Sequence, residues 1–384
     1  MKGNFPIEKL RELETPFYYY DTQVLRDTLD LVRNESGQHG YHVHYAVKAN
    51  ANHRILSIIR EYGLGADCVS GGEIQAALNA GFSTDKIVFA GVGKADWEIN
   101  LGLDNNIFCF NVESIPEIEV IDELAGAKGK VADIALRINP EVDAHTHHYI
   151  TTGLKENKFG INLSQLDEVL DVVEKLQHIR LIGIHFHIGS QITDLIAFQS
   201  SCSRMSEVQE FFIRRGIVVE NINFGGGFGI DYNHPNRQSI PNFKEYFAIF
   251  AKHFKAQAGQ QIHFEPGRSI VGQCGSLITK VLYVKEGSSK SFAIVDAGFT
   301  ELLRPALYNA FHKIENLTSE GELNTYDVVG PICESSDSFG KAIDLNKVSR
   351  GDLFALRSAG AYGEIMASQY NCRKLPKAYF SDLI

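Results

Sequence analysis

The sequence predicts an α/β protein: a (β/α)8 TIM-type barrel with a second, mostly β C-terminal domain. Three observations predict this fold class. Eight strand-like runs alternate with amphipathic helical stretches along the first two thirds of the chain. Several of those helices end at a glycine (Gly63, Gly81 and Gly216), the residue that a left-handed helix cap requires. Past about Gly272, Val-, Tyr- and Phe-rich runs punctuated by Gly and Ser replace the alternation.

The predicted barrel elements follow one another closely. The strand-like segment 17–20 and a helix from Asp21 to about Arg33 come first. The eight predicted barrel strands lie near residues 41–48, 66–70, 86–91, 107–112, 131–139, 179–188, 219–224 and 261–265. Helices are predicted for residues 54–62, 73–79, 116–124, 166–176, 198–215 and 243–257. Eight strand–helix units in succession favour a closed parallel barrel over an open sheet.

The C-terminal third predicts a β domain. Its strands are expected at residues 276–285, 291–296, 326–330, 352–356 and 366–371. The early strand 17–20 is expected to pair into the same domain. The predicted domain division is therefore 21–271 for the barrel and 1–20 plus 272–384 for the β domain.

Composition and charge exclude several classes of partner. The chain has 384 residues, 37 basic and 47 acidic, for a formal charge of −10, without a run of Lys or Arg. Nucleic acids and anionic membranes are therefore poor partners, and a small molecule is a better one. The six cysteines are irregularly spaced with no CxxC pair, and neither a signal core nor a bilayer-spanning run is found. We expect a soluble, cytoplasmic protein with free thiols.

The segment 41–50 ends its predicted strand with Lys48. A lysine among Ala46, Val47 and Ala49 is partly withdrawn from water, which lowers the amine pKa and favours attack on a carbonyl to form a Schiff base. A strand-end lysine extending to solvent is the alternative for this segment alone.

Polar residues gather where the predicted barrel strands end, which is where barrels carry their chemistry. Strand two leads to Asp67, strand six to the sequence from His185 to Ser190, strand seven to the glycines Gly225, Gly226 and Gly227, and strand eight to the sequence from Glu265 to Arg268. Loops after strands seven and eight often bind phosphate through backbone N–H groups, and Ser190 and Arg268 add a hydroxyl and a guanidinium. Taken alone, the glycine run is also typical of a tight turn.

A Schiff-base lysine facing a phosphate site suggests pyridoxal 5'-phosphate as cofactor. An ionised Glu265 would keep the pyridine nitrogen protonated, and His187 would lie against the ring face. The alternative for Glu265 is a salt bridge to Arg268. His185 is interpreted as a core histidine bonded to the backbone.

Other polar clusters carry less information. The sequence from His145 to His148 has ligand-type side chains but lacks the separated elements of a closed metal site, so no metal is predicted. In residues 303–308 a proline suits the first turn of a short helix, which places Arg304 and Tyr308 on one face. A surface Arg–Tyr stack is the alternative. Residues 333–337 and 360–363 are predicted to be polar loops of the β domain.

Several motifs in this order resemble the diaminopimelate decarboxylase family, whose fold type is shared with alanine racemase and eukaryotic ornithine decarboxylase. These motifs are YAVKAN, HIGSQI, GGGFG, EPGR, RPALY, CESSD and AYG, and the resemblance runs from about Thr15 to Tyr370. It implies a barrel bearing pyridoxal phosphate, followed by a β domain. It also implies a homodimer with shared active sites that decarboxylates meso-diaminopimelate to L-lysine.

The same resemblance implies residue roles. Lys48 bonds to the cofactor aldehyde, His187 stacks on the ring and Glu265 pairs with the pyridine nitrogen. The phosphate and its edge are assigned to Ser190, Gly225, Gly226, Gly227 and Arg268, with Tyr362 nearby and Asp67 at the cofactor site. The substrate's distal carboxylate is assigned to Arg304 and Tyr308, with Arg268 as a further candidate, and Tyr362 is also counted among the substrate-binding residues. The distal ammonium is assigned to Glu334, and proton donation to Cys333 of the neighbouring subunit.

Rival functions remain at this point. By the same resemblance, alanine racemases have an arginine at the position of Glu265, which makes the cofactor a weaker electron sink. Glu265 therefore argues against a racemase. Ornithine has no distal carboxylate for Arg304 to bind. The alternatives are a decarboxylase of ornithine, arginine or carboxynorspermidine, and a non-catalytic regulatory homologue.

Overall fold

The computed structural model describes residues 3–142 and 158–384. Its strands are β1 (Phe17–Tyr20), β2 (His42–Ala46), β3 (Gly65–Cys68), β4 (Ile87–Phe89), β5 (Cys109–Val112), β6 (Ala132–Arg137), β7 (Ile179–His185), β8 (Asn221–Asn223), β9 (Gln261–Phe264), β10 (Gly275–Glu286), β11 (Ser291–Val295), β12 (Ile314–Asn316), β13 (Leu323–Val329), β14 (Ser338–Asn346), β15 (Leu353–Leu356) and β16 (Lys377–Phe380).

The α-helices alternate with the first half of these strands. They are α1 (Ile7–Arg11), α2 (Thr22–Gln38), α3 (His53–Glu61), α4 (Gly71–Asn79), α5 (Asp96–Asn105), α6 (Ile115–Ala127), α7 (Leu166–Val173), α8 (Ile196–Arg214), α9 (Phe243–His253), α10 (Arg268–Val271) and α11 (Arg304–Tyr308).

The chain divides into two compact units. The barrel unit is built from described residues of Leu29–Gly229 and Asn242–Gly267. The β-rich unit is built from those of Met1–Thr28, Ile230–Pro241 and Arg268–Ile384. The two units are defined by contacts in space alone. The division predicted from the sequence, a cofactor-binding barrel and a β domain that completes the active site, stays a prediction.

Strands β2 to β9 form a closed barrel in which every neighbouring pair is parallel and β9 pairs back with β2. All eight predicted barrel strands are therefore confirmed. Helix α5 was not predicted, because its sequence DWEINLGLDN includes a glycine and has a weak apolar period. The predicted glycine caps are confirmed, with φ angles of 79° at Gly63, 83° at Gly81 and 78° at Gly216.

An aromatic cluster fixes α9 against strand β9. The Phe250 ring lies 4.7 Å from that of Phe264 and 4.8 Å from that of Phe224, and Tyr246 lies 5.8 Å from Phe264. Large buried rings supply much of the apolar area that holds such an interface together. The cluster thereby anchors the strand that immediately precedes Glu265.

The β-rich unit contains a mostly antiparallel sheet in the order β12-β15-β10-β11-β13-β14. Strand β1 pairs with β10 antiparallel and with β16 parallel, which confirms that the early strand belongs to this sheet. The fold class predicted from the sequence is confirmed.

Two details of the β-rich unit differ from the prediction. Residues 366–371 do not form a strand, because the chain makes one-turn 3-10 helices at Glu364–Met366 and Tyr370–Cys372. Strands β12, β14 and β16 were not predicted. Within the described ranges, no helix combines the length and apolar character needed to cross a bilayer.

Candidate active site

Lys48 lies on a single 3-10 turn, Val47–Ala49, that follows β2. The prediction placed it at the end of the strand, and the structure places it on the turn two residues beyond Ala46. Its neighbours Val47 and Ala49 are fully buried, whereas Lys48 is partly exposed. The turn therefore fixes the backbone of Lys48 at the carboxyl end of the barrel.

Glu265 is a buried carboxylate held by side chains from three other strands. It accepts hydrogen bonds from His185 Nε2 at 2.8 Å, Asn223 Nδ2 at 2.7 Å and Asn111 Nδ2 at 3.1 Å. His185, expected to bond the backbone, is thus corrected: its Nε2–H donates to Glu265. The reason is geometric, because β7 and β9 present these two side chains to the same barrel interior.

Electrostatics keep Glu265 ionised. Burial alone raises the pKa of Glu265, but the imidazole of His185, with help from His187 and His44, brings it well below its usual range. A carboxylate with several donors keeps its charge even in a dry site. Glu265 therefore offers a permanent negative charge at the carboxyl end of β9.

Asp67, at the carboxyl end of β3, is only 1 % exposed. Its Oδ1 atom has no hydrogen-bond partner among the described residues. Burial raises the pKa of Asp67, as does the charge of Glu265, whereas Lys48 lowers it. An unsatisfied buried acceptor is costly in an empty cavity and suits a site that receives a polar ligand.

The triple glycine after β8 lies where neighbouring backbones leave no room for side chains. A Cβ on Gly225 would overlap the carbonyl oxygen of Phe186, and one on Gly226 would overlap that of Glu265. A Cβ on Gly227 would come within 2.6 Å of the Gly189 carbonyl oxygen. The loops that follow β7, β8 and β9 therefore converge on this glycine run.

His187 joins the same group of loops. Its Nδ1 accepts a hydrogen bond from the Gly226 N–H at 3.3 Å. Burial lowers the pKa of His187 well below its usual value, and the cations Lys48 and Arg137 lower it further. The ring is therefore neutral at physiological pH, and Ser190 follows it on the same loop, partly exposed.

Arg268 is a buried guanidinium of the β-rich unit. Its Nη1 donates to the hydroxyl of Tyr232 at 2.6 Å, and its guanidinium lies 4.8 Å from the ring centroid of Tyr362. Burial lowers the pKa of Arg268, but Tyr232 and Tyr362 outweigh it and raise the value. Tyr232 was not singled out from the sequence, where an aromatic residue three positions past the glycine motif carries no distinguishing signal.

Arg304 begins α11, whose first turn contains Pro305, as predicted. The guanidinium is buried, donates from Nη1 to His312 Nε2 at 2.8 Å, and lies 4.9 Å from the ring centroid of Tyr232. Tyr308, at the other end of the helix, is partly exposed. The surface-stack alternative for Arg304 is therefore wrong.

Cys333 and Glu334 are exposed residues of a loop that Asp337 organises. The Asp337 carboxylate accepts backbone N–H bonds from Phe299 and Ile332, both at 2.7 Å. Glu334 in turn accepts a hydrogen bond from the Tyr370 hydroxyl at 2.8 Å. The loop is thus shaped by its own acidic residue.

Within the barrel unit the structure brings together eight predicted residues at the carboxyl ends of the strands: Lys48, Asp67, His187, Ser190, Gly225, Gly226, Gly227 and Glu265. Within the β-rich unit it groups Arg268 and Arg304 around Tyr232, with Tyr362 against the guanidinium of Arg268. Sequence reasoning missed Asn111, Asn223, Tyr232 and His312. The sequence from His145 to His148 lies outside the described residues, and the described residues contain no cluster of metal-ligating side chains.

The polar groups of the barrel unit fit pyridoxal phosphate. An ionised, buried carboxylate suits a pyridinium nitrogen, and a glycine run without side chains lets the backbone approach a phosphate closely, with the N–H of Gly227 as its donor. Asp67 supplies an acceptor that lacks a partner within the described chain. Barrel enzymes that bind pyridoxal phosphate are the class that this fold and this donor set define.

Comparison with known proteins gives the family. The family described as "Pyridoxal-dependent decarboxylase, pyridoxal binding domain" matches residues 25–272. The chain is 67% identical over 383 residues to a diaminopimelate decarboxylase of Bacteroides thetaiotaomicron, covering 100% of this chain and 99% of that protein. A crystal structure of diaminopimelate decarboxylase from Helicobacter pylori with L-lysine is 41% identical, has a TM-score of 0.91, and is matched over 97% of this chain and 93% of its own.

The chain belongs to the pyridoxal-dependent decarboxylases, among the diaminopimelate decarboxylases. It is an amino-acid decarboxylase whose cofactor is pyridoxal phosphate. A lysine/ornithine decarboxylase from Vibrio vulnificus, 21% identical with a TM-score of 0.85, shares the fold alone.

Proposed function

We propose that this chain decarboxylates meso-2,6-diaminopimelate at its D-centre to give L-lysine and CO₂, the last step of lysine biosynthesis. The observation that carries the reaction type is the buried carboxylate of Glu265, held ionised by three side-chain donors. Loss of CO₂ leaves an electron pair on carbon. A carboxylate beside the pyridine nitrogen keeps that nitrogen protonated, and the resulting positive charge favours delocalisation of the pair into the ring. The high identity to named relatives supports the choice of substrate.

The barrel residues would bind and orient the cofactor. When bound, pyridoxal phosphate supplies the ring that accepts the electron pair of the breaking bond. Lys48 would hold the cofactor aldehyde covalently, and Glu265 would keep the proton on the pyridine nitrogen. His187, neutral because of its buried surroundings, would lie on the ring face without competing for that proton.

The remaining cofactor contacts would be polar. The glycine run from Gly225 to Gly227 and the Ser190 hydroxyl would border the phosphate. Of the three glycine N–H groups, that of Gly227 would donate to it, because those of Gly225 and Gly226 already donate to Asn223 Oδ1 and His187 Nδ1. Asp67, which has an unpaired oxygen within the described chain, would accept from a polar group of the cofactor. Arg268 and Tyr362 would border the phosphate and the substrate.

The β-rich unit would supply substrate recognition. Arg304 would bind the distal carboxylate, because its guanidinium is buried and fixed on two sides. Tyr308 would assist it, and Glu334, oriented by Tyr370, would bind the distal ammonium. Cys333, exposed on the same loop as Glu334, would donate a proton to the carbon that has lost CO₂.

We further propose a homodimer in which Cys333 serves the site of the neighbouring subunit. Nucleic acid is not proposed as a partner. A cytoplasmic location is consistent with six cysteines that form no disulfide in the structure.

The test is a direct assay of the purified holoenzyme. With meso-diaminopimelate, equal amounts of CO₂ and L-lysine should form, and a Lys48→Ala protein prepared in parallel should form neither. Ornithine, arginine and carboxynorspermidine should be much poorer substrates. Faster turnover of any of these three would replace the proposed substrate, and no turnover of any amino acid would favour the regulatory alternative.

A further inference from the structure

His312 links the buried guanidinium of Arg304 to the protein backbone. Its Nε2 lies 2.8 Å from Arg304 Nη1, and its Nδ1 lies 2.8 Å from the carbonyl oxygen of Arg357. The residue is only 1 % exposed. All three residues belong to the β-rich unit.

The two partners of His312 dictate where its proton sits. A carbonyl oxygen can only accept, so Nδ1 must carry the hydrogen; a guanidinium can only donate, so Nε2 must present its lone pair to Arg304. A second proton on Nε2 would face an N–H of a cation. Burial, and then the charge of Arg304, accordingly lower the pKa of His312 to about 3.

Two contacts constrain the guanidinium. The bond to His312 fixes one edge, and the ring of Tyr232 covers a face at 4.9 Å. Tyr232 itself packs edge-on against His312, with centroids 5.2 Å apart. Because a guanidinium has five N–H donors in one plane, holding one of them orients the others toward a carboxylate.

We propose that His312 is a positioning residue that orients Arg304 for the distal carboxylate and so sets the preference for ligands that carry it. The proposal rests on the proposed role of Arg304 in substrate binding. The titratable and charged neighbours of His312 are Arg304, Arg268 and Tyr232. The two arginines can only donate, and the Tyr232 hydroxyl already accepts from Arg268 at 2.6 Å, so His312 is the ring that offers Arg304 a free lone pair.

The test compares two ligands that differ by one carboxylate. L-Lysine retains the carboxylate that Arg304 would bind, whereas cadaverine lacks it. Inhibition constants of both are measured against meso-diaminopimelate for wild type and for His312→Phe, which keeps a ring but removes the acceptor. L-Lysine should bind roughly tenfold to a hundredfold more weakly to the variant, while cadaverine binding stays within about twofold.

Matched variants separate positioning from damage to the fold. His312→Gln keeps an acceptor oxygen and should restore part of the preference for L-lysine. In an Arg304→Ala background, His312→Phe should cause no further loss of that preference, since the residue acts through the guanidinium. Equal weakening of both ligands, or a further loss without Arg304, would overturn the proposal.

The two levels of proposal fail differently. If Arg304→Ala leaves the preference for L-lysine unchanged, the proposed role of Arg304 is wrong. If that variant loses the preference but His312→Phe keeps it, only the role of His312 is wrong. Should the Phe variant not fold, ¹⁵N spectra of the wild-type histidines decide: His312 should stay neutral and protonated at Nδ1 down to pH 5, and titration near pH 6.5 would refute the arrangement.

Discussion

The Oε2 atom of Glu265 lies 2.8 Å from Nε2 of His185, deep in the barrel. Both side chains are almost fully buried, at 5 % and 1 % exposure. The donors His185, Asn111 and Asn223 replace the water that an isolated carboxylate would lose on burial. Side chains of the barrel strands, rather than of a loop, thus stabilise the negative charge at the carboxyl end of β9.

Replacing Glu265 by Gln should lower kcat by on the order of a hundredfold or more. The reason is that the substitution removes the negative charge that keeps the pyridine nitrogen of the cofactor protonated. Cofactor affinity, measured by absorbance titration, should change much less. Glu220→Gln, an exposed carboxylate before β8, is the control and should behave as wild type. Near-normal turnover in Glu265→Gln would show that the electron sink does not depend on this charge.

Borohydride reduction of the holoenzyme should place the pyridoxyl group on the peptide that contains Lys48. Among the lysines that the structure describes, Lys48 alone follows a barrel strand at its carboxyl end and lowers the pKa values of both Asp67 and His187 by its charge. Lys48→Ala should fold normally, since the buried anchors of its turn are Val47 and Ala49, yet lack turnover. Lys252→Ala, on the exposed side of α9, is the matched control. A label on any other lysine would contradict the assignment.

The sequence predicts the barrel well because its signals are local. Each strand is a short apolar run, and glycine marks the end of several helices. Helix α5 escapes this reasoning because Gly102 and a weak apolar period hide it. Strand β14 escapes it because alternation in SFGKAIDLN is interrupted by glycine and charge.

The site is predictable only where residue type alone implies chemistry. Lys48, Glu265 and the glycine run have that property. Asn111 and Asn223 do not, since an asparagine in a strand acquires its role only when the barrel closes and brings it to Glu265. His185 was misassigned for the same reason: its partner lies 80 residues away in the chain.

Arg304→Ala should reduce kcat/KM for meso-diaminopimelate by roughly 2–5 kcal/mol of transition-state binding, because the distal carboxylate loses its charged partner. Steady-state kinetics measure the change. Arg350→Ala, an exposed arginine of the same unit, is the control and should leave kcat/KM unaltered. If Arg304→Ala still preferred meso-diaminopimelate over ornithine, another group would have to bind the distal carboxylate.

Acid should destabilise the protein partly through His312. Its pKa is about 3 in the folded state, against about 6.5 in the unfolded chain. The unfolded chain therefore binds the extra proton as pH falls below 6.5, and the folded state does not, so stability declines from pH 6.5 toward pH 3. At pH 5 the titration of His312 should lower the free energy of unfolding by about 2 kcal/mol.

Urea unfolding of the holoenzyme at pH 8 and pH 5 tests that expectation. Wild type should lose about 2 kcal/mol more than His312→Gln between the two pH values, because the variant has no imidazole to titrate. The other buried histidines, such as His44 and His263, cancel in the comparison. An identical loss in both proteins would show that His312 titrates normally in the folded state.

The final prediction concerns the proposed shared site, with Lys48 from one subunit and Cys333 from the other. Lys48→Ala and Cys333→Ala proteins should each be nearly inactive. After equal amounts are dissociated and re-associated, half of the dimers are mixed, and each mixed dimer holds one site with both residues and one with neither. Activity should then return to about a quarter of wild type.

A reciprocal mixture provides the control. When the Lys48→Ala, Cys333→Ala double variant is mixed with wild type, a shared site leaves about a quarter of the activity, because every mixed dimer is dead at both sites. A site built within one subunit would leave about half in this mixture and restore none in the first. Subunit exchange is verified by mass spectrometry of differently tagged chains. The second pair of outcomes then excludes a shared site, because the two mixtures differ only in whether the substitutions of Lys48 and Cys333 lie on different chains or on the same chain.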